Sequence, residues 1–299
     1  MSREAPRWQA ARHVGLWILA IALIFAAWKL LLVVTGLPPY VIPTPRAALS
    51  VIFDNLGLMK QLSWQTIAET FYGYVTGAVI GFVLAVVMAQ IPIVHRLLYP
   101  ALITSQAVPI VAIAAPLVII FGFGLTPKII IVAWIVFFPV VVNVLDGLAS
   151  VDQDQINLAR LLGGTQLRTF MIVRLPACIG PLFSGLKIGA SYAVTGAVIG
   201  EWTASSHVGL GTYLLTANSQ MNTAGVYGAM LLLTAIGIGS FLLVLVAEHF
   251  ATPWRSRMTA PAYFGGSVPV PPAPQPAAPQ PAAPQPAAPP PTLTAQQKV

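Results

Sequence analysis

Charge is what this chain has least of. Only 8% of its 299 residues are charged and 57% are hydrophobic, with a mean hydropathy of +0.81. So little polar surface excludes a soluble domain and implies an integral membrane protein. Cysteine is almost absent: Cys178 stands alone inside an apolar run, which excludes an intrachain disulfide and reads as a small buried side chain. No GxxxxGK[ST] segment occurs, so the chain does not bind ATP through a P-loop. HExxH, GxSxG and Cys-His clusters are missing too, and no metal, cofactor or hydrolytic nucleophile is expected. The net charge of +7 does not point to nucleic acid, because the basic residues sit singly at the ends of apolar runs rather than on one face.

What is present is a series of apolar runs long enough to cross a bilayer, which takes about 20 residues each. Six spans are expected, at about Val14–Thr35, Thr66–Gln90, Pro100–Gly122, Ile129–Ala149, Ile179–Trp202 and Val226–Phe250. The first follows Arg3, Arg7 and Arg12 and is too long for a signal peptide, so it is expected to remain as an anchor. Between the first two, Pro38, Pro39, Pro43 and Pro45 forbid a continuing helix, and Pro45–Leu56 reads as an amphipathic interfacial segment. Pro109 and Pro116 are expected to bend or break the third span.

Residues 14–257 thus form one six-span domain behind a short N-terminus, 1–13. Beyond Arg257 the composition changes: Pro269–Pro291 repeats PAAPQ, which cannot bury a core, and 258–299 is expected to be a disordered tail. With the N-terminus inside, nine basic residues lie inside (Arg3, Arg7, Arg12, Arg96, Arg160, Arg168, Arg174, Arg255, Arg257) against three outside (Arg46, Lys60, Lys128). That asymmetry places both termini and the central polar passage in the cytoplasm.

That passage, Val151–Pro176, is the one long polar stretch in the middle of the chain. Asp152 is a candidate N-cap with Gln155 three residues on. Leu158, Leu161 and Leu162 recur at helical spacing, and Gly163 and Gly164 stop the helix. A second short helix is expected from Thr165, gathering Leu167, Phe170 and Met171 until Pro176 ends it. Two short helices at a sharp corner make a rigid knob.

The segment resembles the cytoplasmic signature loop of binding-protein-dependent ABC importer permeases, which reads EAA, three residues, Gly, nine residues, then Ile-x-Leu-Pro. Ala159 matches the second alanine, Gly163 the glycine, and Leu175 and Pro176 the ending; Val173 stands for Ile, while Asn157 and Leu158 depart from Glu and Ala. The resemblance implies an all-α permease of the type I importer kind, with six transmembrane helices, working as a homodimer with ABC ATPase subunits and an extracytoplasmic solute-binding protein. It implies that this loop carries the coupling helix, with Leu158, Ala159, Leu162 and Gly163 at the ATPase contact and Arg160 at its rim. The binding protein would deliver solute near Ser205–Thr223.

Residues 14–250 resemble the nitrate, sulfonate and taurine branch. Gly200-Glu201-Trp202, Asn218–Thr223 and Glu69 point within it to importers of the pyrimidine precursor of thiamine or of riboflavin. A secondary transporter or channel is the competing class, although no inverted repeat stands out.

The spans also carry polar groups. Gly73, Gly77 and Gly81 recur every fourth residue and read as a packing face. Lys29 and Asp146 lie near helix ends and can snorkel. Glu69, Lys187 and Glu201 are harder to place, since an ionisable group at mid-membrane costs about 2.5 to 3.5 kcal/mol on insertion scales. Two readings stay open: structural ion pairs, or a polar solute route formed by Glu69, Gln106, Asn143 and Glu201.

Overall fold

The computed structural model describes residues 7–204 and 208–252, and every regular element among them is helical. The N-terminal residues 1–6 and the Pro-rich segment read as a disordered tail lie outside the described residues. Helix α1 (Arg7–Thr35) has 29 residues, about 43 Å at the α-helical rise. It meets the rest of the fold through α2 (Pro45–Asp54) and through Trp28, whose ring lies 5.3 Å from that of Tyr227. Thr44 caps α2 by accepting from Ala47 N at 3.2 Å, with Pro45 in the first turn, where its missing N–H leaves no gap.

Helix α3 (Leu56–Gln90) begins well before the expected Thr66 and projects past the membrane core, at 35 residues or about 52 Å. Its buried face runs Thr66, Glu69, Thr70, Gly73, Gly77, Gly81, Ala85 and Met88, spaced by threes and fours.

The third expected span is not one straight helix. It is α4 (Pro92–Ser105) and α5 (Ile110–Phe121), bent by 101° across the break at 106–109. Pro109 causes the break, because it lacks an N–H and holds Val108 away from helical backbone. Pro100 and Pro116 stay within their helices, so the chain breaks before Pro109 and not at Pro116.

Gly122, at φ +76°, turns the chain into α6 (Leu125–Ala149). After the polar passage come α9 (Leu175–Thr203), a short α10 (Leu210–Ser219) and α11 (Thr223–Ala251). Four of these helical runs are long and apolar enough to cross a membrane, and the bent α4–α5 pair makes a fifth if taken as one span. Helix α1 adds a shorter apolar stretch, Ala22–Thr35, which is consistent with the expected count of six.

Helix α6 is the hub. Val132, Val136, Val140, Val144 and Leu148 form its fully buried stripe, packed against Ala85 and Met88 of α3 and Ala193 and Ala197 of α9. Both neighbours meet it through glycines. A Cβ on Gly77 would lie 2.9 Å from Ala133 Cα, and one on Gly185 would lie 2.7 Å from Pro139 O. The glycine face expected on α3 is therefore a close backbone approach.

Gly77→Val drives a side chain into the α6 backbone and is expected to destabilise the fold by at least about 1 to 3 kcal/mol. Gly239→Ala on α11, where an added Cβ meets nothing within 4 Å, is expected to stabilise by about 0.5 to 1 kcal/mol. Thermal unfolding of the purified protein in detergent checks both signs.

Candidate functional site

Three places in this scaffold gather chemistry, and the first is the polar passage. Asp152 caps α7 (Gln153–Leu161) by accepting from Asp154 N at 3.0 Å. The helix closes on two crossed hydrogen bonds, Gly164 N to Ala159 O at 3.0 Å and Gly163 N to Arg160 O at 2.9 Å, with Gly163 at φ +83°. This closure needs a left-handed residue at position 163, which glycine takes without steric cost. Gly164 is needed for space, since a Cβ there would stand 2.6 Å from Ala159 O.

Beyond the corner, α8 (Gln166–Thr169) runs through a π turn, Phe170–Arg174, straight into α9. Pro176 therefore does not end the second helix, as was expected. It sits in the first turn of α9, and the wider π turn, with Leu175 N reaching Phe170 O, absorbs its missing donor. The knob is fused to a membrane helix, and one helical run of 38 residues spans Gln166–Thr203.

On the knob, Leu158, Leu161 and Leu162 are 58%, 85% and 80% exposed. Ala159 is half-buried, and Arg160 and Gly163 are exposed. Ile156 and Phe170 face inward and are buried. Leucines this exposed on a polar loop mark a surface built to be covered.

The second place is a groove of about 530 Å³ beside the α4–α5 break. Gln106 and Asn143 line it together with Trp134, Phe138 and Tyr192. Asn143 donates from Nδ2 to Pro139 O at 2.8 Å. Among the described residues, no charged side chain lines the groove.

The third place lies at the end of the bundle opposite the knob. Lys128 at the head of α6 donates to Glu69 Oε1 at 2.7 Å, and both side chains are fully buried. Gln65 Nε2 donates to the same oxygen at 2.9 Å, while Glu69 Oε2 accepts no hydrogen bond. Glu201, at the end of α9, accepts from Thr66 Oγ1 at 2.6 Å and from Thr212 N at 3.0 Å. Thr66 in turn accepts from Leu210 N at 2.9 Å. Gly209, the cap position of α10, has no side chain to offer, and Glu201 supplies the missing acceptor to the open N–H groups of that helix. Two adjoining clusters, both rooted on α3, thus tie α3 to α6 and α3 to α9 and α10.

Residues 77–255 match the family model described as "Binding-protein-dependent transport system inner membrane component". The chain belongs to that family.

Its relatives are named as transport permeases of ABC transporters, and this chain is accordingly a multi-pass membrane subunit rather than an enzyme. It is 34% identical over 221 residues to a "Probable ABC transporter permease protein" of Haemophilus influenzae, covering 74% of this chain and 90% of that one. It is 29% identical to the "Formylaminopyrimidine transport permease protein ThiX" of Halalkalibacterium halodurans, over 73% of this chain and 88% of the relative. It is 28% identical to the "Riboflavin transport system permease protein RibX" of Chloroflexus aurantiacus, over 86% and 97%. Permeases named for taurine, aliphatic sulfonates and bicarbonate are similar as well.

The polar residues that the sequence suggested for one route fall in different places. Gln106 and Asn143 share the groove; Glu69 and Glu201 do not reach it, being fully buried in the network at the far end of the permease. Lys187 pairs with neither, but with Glu248 of α11 at 2.8 Å. Sequence reasoning missed Lys128 and Thr66 as network members, and Tyr192 and Trp134 as groove walls. For Lys128 the signal was a cation heading a long apolar run; for the others the sequence offered none.

Removing Lys128 leaves the fully buried Glu69 carboxylate without its cation, which costs about 3 to 5 kcal/mol, and removing Glu69 takes the carboxylate from the buried Lys128 ammonium. Glu69→Gln and Lys128→Met are each expected to lower the unfolding temperature strongly. The double variant is expected to lose less than the sum of the two, as a double-mutant cycle of thermal unfolding would show.

Proposed function

We propose that this chain is the translocating subunit of an ATP-driven importer, two copies of which form a homodimer with two ABC ATPase subunits and a solute-binding protein. The exposed leucine corner carries this reading. Leu158, Ala159, Leu162 and Gly163 form the ATPase contact with Arg160 at its rim, and the unbroken run from α8 into α9 turns a push on the knob into movement of a span. Both termini lie in the cytoplasm with the knob, and the α10 end faces outside. ATP and the loaded binding protein shift the equilibrium between inward-open and outward-open states because each prefers one of them.

Leu162→Asp is expected to leave the unfolding temperature unchanged, since the residue is 80% exposed. It is expected to lower ATP-driven uptake at least about tenfold by placing a charge in an apolar docking face. Uptake at the wild-type level would overturn the assignment of the knob.

The solute follows the groove, where Gln106, Asn143 and Tyr192 offer polar edges among aromatic and apolar walls. Such a lining suits a neutral heteroaromatic solute of the vitamin or vitamin-precursor kind, as the relatives named for formylaminopyrimidine and riboflavin do. A sulfonate or bicarbonate would meet no counter-charge there, which sets the taurine, sulfonate and nitrate alternative second. Glu69 and Glu201 belong in this reading to the fastening of the outside end.

Asn143→Leu is expected to reduce uptake of the pyrimidine or flavin about tenfold while ATP hydrolysis by the complex persists. A panel of riboflavin, thiamine pyrimidine, taurine and nitrate in vesicles distinguishes the two solute classes.

A further inference from the structure

The turn between α10 and α11 breaks two local rules at one residue. Met221 has φ +56°, left-handed backbone that side chains adopt only under strain and that glycine normally fills at a helix end. Its side chain is also 83% exposed. The turn is not loose. Asn222 N donates to Ala217 O at 2.8 Å and Met221 N to Asn218 O at 3.1 Å, which closes α10 on crossed hydrogen bonds. Asn222 Oδ1 then caps α11 by accepting from Gly225 N at 3.0 Å, and Thr223 Oγ1 donates to Pro39 O at 3.2 Å.

Held between two capped helices, an apolar side chain is presented at the surface on a fixed stalk, with Asn218, Gln220 and Asn222 as its neighbours in the turn. Local rules broken without a packing gain mark function. Glycine would remove the strain, and the side chain that prevents this is 83% exposed.

The position of the turn selects its partner. The α8–α9 run starts at the knob and ends at Glu201, which holds the N-terminus of α10. Helix α11 runs back antiparallel to α9, as the Lys187 and Glu248 pair shows. The Met221 turn is therefore on the face opposite the ATPase knob, where the family takes its solute from a binding protein.

We propose that Met221 is a preformed anchor that seats in the solute-binding protein, its flexible thioether filling an apolar dimple and the three amides forming a polar rim. This rests on the importer reading above.

The test uses the full transporter in proteoliposomes and, as probe, the purified solute-binding protein that stimulates ATP hydrolysis by the wild-type complex. Met221→Gly is expected to unfold at the same or a higher temperature, yet to need at least about tenfold more binding protein for half-maximal stimulation. Met221→Leu, which restores an apolar anchor, is expected to recover most of that loss. Met221→Cys carrying a photoreactive maleimide is expected to crosslink the binding protein and not the ATPase. Wild-type binding-protein dependence in Met221→Gly, or no crosslink from position 221, would overturn the proposal alone. A wild-type complex that no binding protein stimulates would overturn the importer reading with it.

Discussion

The structure depends on how closely α3 and α9 approach α6. In hydrocarbon there is no hydrophobic gain from burying one apolar helix against another, so association rests on van der Waals contact and internal hydrogen bonds. Small residues are what permit that contact. Gly73, Gly77 and Gly81 on one side, and Gly185, Gly189, Gly196 and Gly200 on the other, leave α6 no room for a Cβ opposite them. The approach continues to the head of α6, where a Cβ on Gly200 would stand 3.1 Å from Lys128 Cα. Because the backbones meet there, Lys128 and Glu201 arrive beside Glu69 and Thr66, and the polar network is a consequence of the glycine packing.

That network stabilises the bundle less by its own energy than by what its loss would expose. A buried ion pair only roughly offsets its desolvation, whereas a stranded buried charge is strongly unfavourable. Lys128, Glu69 and Glu201 therefore act as conditions on geometry: α3, α6, α9 and α10 must keep their register at that end or leave charges unsatisfied. No such condition governs the groove. Gln106 and Asn143 are neutral, half-open to solvent space and backed by a helix break, and rearrangement there costs little. The fold is thus stiff at the α10 end and adaptable beside α5.

Much of this was legible in the residues. The glycine spacing on α3, the cap at Asp152, the left-handed Gly163 and the amphipathic helix after Pro45 all follow from local rules that tertiary structure did not override. Span boundaries were less legible, since α3 and α4 continue helically through polar residues that a hydropathy window leaves out. Pro176 misled for a physical reason: a π turn can absorb a missing donor, and nothing in the sequence announces one. The grouping of polar residues was the larger failure. Glu69, Asn143 and Glu201 look alike as intramembrane polar groups, and only three-dimensional proximity separates a sealed network from an open groove.

The two ends of the chain solve opposite problems with the same device. At the knob, crossed hydrogen bonds close α7 on Gly163, the residue that favours this conformation, and the leucines on the preceding turn are set out at an angle that the corner fixes. At the far turn, the same closure of α10 falls on Met221, which disfavours it, and the strained residue itself carries the exposed side chain. A Schellman closure holds the chain direction across one residue, so whatever stands there or beside it is presented with little conformational freedom left to lose on docking. The run from Gln166 to Thr203 starts at the first corner, and near its far end Glu201 accepts from Thr212 N of α10, the helix that closes on the second. Along that run α9 packs against α6 through Gly185, Gly189, Gly196 and Gly200.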